Sequence, residues 1–149
     1  MSSITIKRLT KELSKLQSGE DKVDGINIDV PIDLMEWHAT IKGPSDSPFE
    51  GGIYKLILKF DSTYPIKPPS IKFVTPMFHP NIYRDGKICL DVIQSSEWSP
   101  SQNIRTILIS IVSLLTDPNP NSPANRDAAV LYTNNREEYN NKVKEYMHK

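Results

Sequence analysis

Apolar residues recur along the chain in two rhythms, and the change of rhythm separates helical from extended stretches. Near the start, Leu9, Leu13 and Leu16 stand at i, i+4 and i+7. They mark one face of a helix that Ser2 or Ser3 can cap and that ends at Gly19. The other face carries Lys7, Arg8, Lys11 and Lys15, which on pattern alone read equally as a solvated stripe or a docking surface. The rhythm then shortens to two. Ile26, Ile28 and Val30 form one run; Met35, Trp37, Ala39 and Ile41 a second; Tyr54, Leu56, Leu58 and Phe60 a third; Ile71 and Phe73 a fourth. Four alternating runs divided by turn-rich sequence predict an antiparallel meander with one wet face. Pro68 and Pro69 remove successive backbone donors, so that stretch cannot be an inner strand.

Regular pattern lapses over residues 76–100. It returns with Ile104, Leu108, Ile111 and Leu115 on one face of a helix starting near Ser101 or Asn103. Ile107, Ile109, Val112 and Leu114 broaden that face, as expected of a central buried helix. The proline-rich run 117–123 breaks the chain. A short helix is predicted next, with Ser122 as cap and Pro123 at its first position. A last helix starts near Asn135, with Glu138 placed for a capping box and Tyr139, Val143 and Tyr146 facing inward. The expected fold class is α+β: an N-terminal helix, a four-stranded antiparallel meander, an irregular loop, a central helix and two C-terminal helices. At 149 residues the chain suits a single domain over 1–149 with one core.

Composition narrows the classes. With 38% apolar residues, and 18 Lys+Arg balancing 18 Asp+Glu, the chain is neither disordered nor a generic nucleic-acid binder. The apolar run 104–115 is too short, and too interrupted by Arg105, Thr106, Ser110 and Ser113, to cross a membrane. The N-terminal residues lack a secretory pattern. One cysteine, Cys89, excludes an internal disulfide and a multi-thiolate metal site. The expectation is an intracellular protein, cytoplasmic or nuclear, with no metal and no cofactor.

A long irregular loop inside one domain is uncommon unless it is functional, and this one holds His79, Asn81, Cys89 and Asp91. The Asp85-Gly86 turn signal can fold the chain so that Asn81 lies beside Cys89. Residue type alone leaves bland readings open: a packed thiol between Ile88 and Leu90, a histidine bonded to backbone, a turn asparagine, an exposed carboxylate.

The order of motifs is more specific. His79-Pro80-Asn81, Cys89-Leu90-Asp91, Trp98-Ser99-Pro100 and Pro118-Asn119-Pro120 follow Trp37, Gly43-Pro44, Ser47-Pro48-Phe49, Gly51-Gly52, Tyr64-Pro65 and Lys67-Pro68-Pro69. With Lys7-Arg8 and Lys11-Glu12-Leu13 in the first helix, this series resembles the ubiquitin-conjugating enzyme family over nearly the whole chain. The resemblance implies the UBC fold and a transferase. It implies that Cys89 accepts ubiquitin as a thioester from an activating enzyme in an ATP-dependent pathway, then passes it to a substrate lysine with a ligase. It further implies that Asn81 offers an N–H to the developing oxyanion or fixes the loop, and that His79 orients that loop. Asp91 is the nearest carboxylate that can position the incoming lysine. Ser122 stands where many members have aspartate, which weakens the case for ligase-independent transfer. Lys7, Arg8 and Lys11 match the face offered to the activating enzyme and ligases. Pro65, Ile66, Pro100 and Ser101 match loops that dock RING-type ligases, although Ile66 replaces a common phenylalanine and Ser101 a common alanine. The segment Gln94-Ser95-Ser96-Glu97 is one residue longer than in the commonest members. Residues 118–125 resemble the subgroup that monoubiquitinates histones and the replication clamp, whereas 102–106 resemble a chain-building subgroup, so the subgroup stays open. Competing readings are an inactive UBC-like binding module, which lacks the cysteine, a cysteine hydrolase with His79 as base, and a carrier of another ubiquitin-like protein.

Overall fold

Helix α1, Ser3–Ser18, opens the computed structural model, which describes residues 3–94 and 97–147. The alternative cap Ser2 lies outside the described residues. Leu9 and Leu16 are buried and Leu13 packs beside them. Two polar residues share that inner face. The Thr5 hydroxyl lies against the carbonyls of Ser62 and Tyr64, at 3.0 and 2.7 Å. The Glu12 carboxylate accepts from the Ile104 N–H at 2.8 Å, the Tyr64 hydroxyl at 2.5 Å and Arg8 Nε at 2.9 Å.

Four strands follow: β1 Ile26–Ile28, β2 Glu36–Lys42, β3 Ile53–Lys59 and β4 Ser70–Phe73. They pair antiparallel in the order β1-β2-β3-β4. The register places Ile41 opposite Tyr54, Ala39 opposite Leu56, and Leu56 opposite Phe73. Directly opposed residues point to the same side, so these side chains, with Trp37, Leu58 and Ile71, form one buried face. The first strand is shorter than its alternation suggests. Val30 is 80% exposed, because Pro31 behind it has no N–H with which to continue a ladder.

Helix α2, Ile104–Thr116, is capped by Asn103, whose side chain accepts from the Thr106 N–H. Ile104, Ile107, Leu108, Ile111 and Leu115 are buried against the core. Ile109 instead reaches solvent. The next helix begins later than predicted. Ser122 and Pro123 do not start it; α3 is Arg126–Asn134, capped by Asn125. The N–H groups of Ala124 and Asn125 both donate to the Pro80 carbonyl, at 2.7 and 3.0 Å. That tertiary tie delays the helix until Asn125. Helix α4, Arg136–Tyr146, starts at Asn135, which accepts from the Glu138 N–H and donates to the Glu138 carboxylate. Tyr139 and Val143 are buried. No helix among the described residues is long and apolar enough to cross a membrane.

Candidate active site

The loop behind β4 folds back on the sheet through Gly86. Phe73 donates to the Gly86 carbonyl at 2.8 Å, and Gly86 sits at φ +95°. A Cβ there would stand 1.9 Å from the Phe73 carbonyl oxygen, so the close approach and the positive φ both require glycine. Asp85 caps the turn by accepting from the Lys87 N–H at 3.0 Å. Ile82 then pairs with Ile88, and the Cys89 N–H donates to the Asn81 carbonyl at 2.8 Å. The turn therefore brings Asn81 beside Cys89 through the backbone.

His79 is fully buried. Its Nδ1 accepts from the Asn81 N–H at 2.9 Å, and its Nε2 lies 2.7 Å from the Leu114 carbonyl near the end of α2. A carbonyl only accepts, so Nε2 carries the proton and the ring is neutral. Burial pushes its pKa down to about 4, with the Leu114 hydrogen bond opposing. Pro80 receives the two N–H groups before α3. The Asn81 side chain donates to the Asn119 and Ser122 carbonyls at 2.7 and 3.2 Å and accepts from the Asn119 N–H at 2.8 Å. Both of its amide hydrogens thus point at backbone of the 119–122 segment, rather than at the thiol.

Cys89 is half-buried. Its Sγ lies 3.9 Å from Gln94 Nε2. Asp91 is exposed and opens a 3₁₀ turn, Asp91–Ile93. Ser122 is also exposed, joined to the loop by its carbonyl. The structure thus groups His79, Asn81, Cys89 and Ser122 through backbone and amide bonds, and sets Asp91 on a neighbouring turn. Gln94 belongs to the longer loop noted in sequence, whose central Ser95 and Ser96 lie outside the described residues; no flanking motif marks it. Among the described residues, no cluster of His, Cys, Asp or Glu could hold a metal ion.

The other candidate surface lies at the opposite end of α2. Lys7 and Lys11 are exposed. Arg8 is engaged internally. It binds Glu12, donates to the Pro100 and Gln102 carbonyls at 3.0 and 2.5 Å, and lies over the Tyr64 ring. Pro65 is buried, and its carbonyl accepts from the Trp98 indole at 2.9 Å. Ile66 is 70% exposed, and Pro100 and Ser101, on the second loop, are exposed as well. Glu12, which no motif singled out for this role, joins the helix to both loops; its signal was a carboxylate on the apolar side of α1.

An accessible thiol held by a hydrogen-bonded loop, with His79 of that loop using both ring nitrogens, suits an acyl carrier better than a hydrolase needing a base. Residues 8–147 match the family model described as ubiquitin-conjugating enzyme. The chain is 45% identical over 150 residues to ubiquitin-conjugating enzyme E2 2 of Neurospora crassa, covering 100% of this chain and 97% of that protein. The protein of that name in Mycosarcoma maydis is 50% identical over 145 residues, covering 97% and 77%. That in Debaryomyces hansenii is 47% identical over 146 residues, covering 97% and 85%. The chain belongs to the ubiquitin-conjugating enzyme family. It carries ubiquitin as a thioester and transfers it to substrates with a ligase, so ubiquitin, an activating enzyme and ligases are its partners.

Proposed function

We propose that Cys89 is the sulfur that carries ubiquitin, within one catalytic domain over 1–149 working in the cytoplasm or nucleus. The observation that carries this reading is the position of the thiol. It is the sole cysteine, half-open to solvent, and its backbone is pinned to Asn81. A pinned thiol presents the acyl group in one orientation to the incoming amine.

In this reading His79 and Asn81 are positioning residues. The chain of bonds Leu114–His79–Asn81–Cys89 ties the thiol to α2, and the Asn81 amide ties it to the 119–122 segment. Asp91, exposed two residues beyond the thiol, is the carboxylate that meets the lysine ammonium, and Ser122 forms the far rim. A lysine with a pKa near 10.4 is neutral only about once in 2,500 at pH 7, so orientation and desolvation of the amine matter. Lys7 and Lys11 offer charge to the activating enzyme. Ile66, Pro100 and Ser101 offer contacts to RING-type ligases, with Arg8 and Pro65 holding those loops from within.

The test is charging with activating enzyme, ATP and ubiquitin. The expected product is an adduct one ubiquitin heavier that reducing agent destroys. With Cys89→Ser the adduct becomes a reduction-resistant ester. A reducible adduct persisting in Cys89→Ser would refute the assignment.

A further inference from the structure

We propose that the side-chain amide of Gln94 is a catalytic hydrogen-bond donor to the oxygen of the thioester on Cys89. The inference rests on the reading of Cys89 as the carrier. In the transfer, a neutral lysine amine attacks the thioester carbonyl carbon. A C–N bond forms and the carbonyl π pair moves to oxygen. On collapse the C–S bond breaks, and the departing sulfur takes up the proton that nitrogen releases, directly or through solvent. Between these events the oxygen bears negative charge, and a donor aimed at it lowers the barrier.

In this arrangement the Asn81 amide is committed to the 119–122 segment, which leaves a place for a second donor. Both of its amide hydrogens face the Asn119 and Ser122 carbonyls, and turning them toward Cys89 would leave those carbonyls without their donor. Gln94 has the complementary arrangement. Its backbone is held at both ends: its N–H donates to the Asp91 carbonyl at 3.0 Å, and its carbonyl accepts from Glu97 and Trp98, each at 2.9 Å. Its side chain is exposed and, among the described residues, its amide meets only Cys89 Sγ, at 3.9 Å. The acyl oxygen is attached to the atom bonded to that sulfur, so a small side-chain rotation carries an amide hydrogen from sulfur to oxygen. An amide has two hydrogens and no charge. It stabilises the oxyanion, where the exposed carboxylate of Asp91 would oppose it.

Wild-type protein, Gln94→Ala and Gln94→Glu are charged to the end point with excess activating enzyme, because thiol exchange passes through a similar oxyanion and also slows. Each is then chased separately with free lysine and with hydroxylamine, which has no need of lysine positioning. Loss of the donor is expected to slow both discharges at least about tenfold, short of the 10²–10³ of water-excluded sites because Gln94 is exposed. Gln94→Glu is expected to be no faster than Gln94→Ala. Rates within twofold of wild type would overturn the proposal. So would slowing with lysine alone, which would make Gln94 a guide for the amine. A wild-type protein that forms no reducible adduct would instead refute the reading of Cys89.

Discussion

His79 lies wholly inside the protein and donates from one nitrogen while accepting with the other, so the folded state has no place for a second ring proton. Its pKa falls from the ordinary 6.5 to about 4 because burial penalises the charged ring. The unfolded chain therefore binds a proton that the folded chain refuses between those values. Stability from this residue is complete above pH 6.5 and is lost as pH falls toward 4. The expected loss is about 2 kcal/mol between pH 7.5 and pH 5, read as a falling urea midpoint. In His79→Gln the stability at pH 7.5 drops, but its slope over this window flattens; an unchanged slope would place the titration elsewhere. His79 and Asn81 could be found in sequence, and the Asp85-Gly86 turn foretold the approach of Asn81 to Cys89. The direction of the Asn81 amide could not be foretold, because its partners lie 38 and 41 residues away.

Helices α1 and α2 meet through one carboxylate. Glu12 accepts from the first N–H of α2, from the Tyr64 hydroxyl and from Arg8. Burial and this carboxylate hold the Tyr64 phenol strongly in its protonated form, so it remains a donor at any ordinary pH. Removing the acceptor strands two buried donors, each costing about 1–3 kcal/mol. Glu12→Ala is expected to destabilise the protein by about 3 kcal/mol, and Glu12→Gln, which keeps one oxygen, by about half as much. Urea unfolding decides: an alanine effect under about 1 kcal/mol would mean that the Glu12 carboxylate contributes little to holding α1 in place. The two hydrophobic rhythms revealed these helices and all four strands, since periodicity reports which side is dry. They did not reveal that Thr5 and Glu12 belong to the dry side of α1. Nor did they show where α3 starts, because the Pro80 carbonyl, far away in sequence, decides it.

Across the whole molecule α2 acts as a spacer. Its first residue is bound to Glu12, beside the Ile66 and Pro100 loops, and Leu114 near its end is bound to His79, beside the thiol. Ten residues of helix separate the two ties by about 15 Å. The proposed ligase contacts are thus remote from the reacting atoms. Ile66→Ala is expected to slow ligase-stimulated discharge by about tenfold, the loss of one apolar interface anchor, and to leave unassisted discharge to free lysine unchanged; equal slowing of both would put Ile66 in the path of catalysis. The Gly86 turn has a consequence of another kind. Here the backbones of two segments approach so closely that a single methyl group would push them apart. An alanine there would leave every chemically active atom intact while moving the sulfur off its address. Such an inherited change would be overlooked by any survey confined to groups that touch the cargo, and its damage would be architectural.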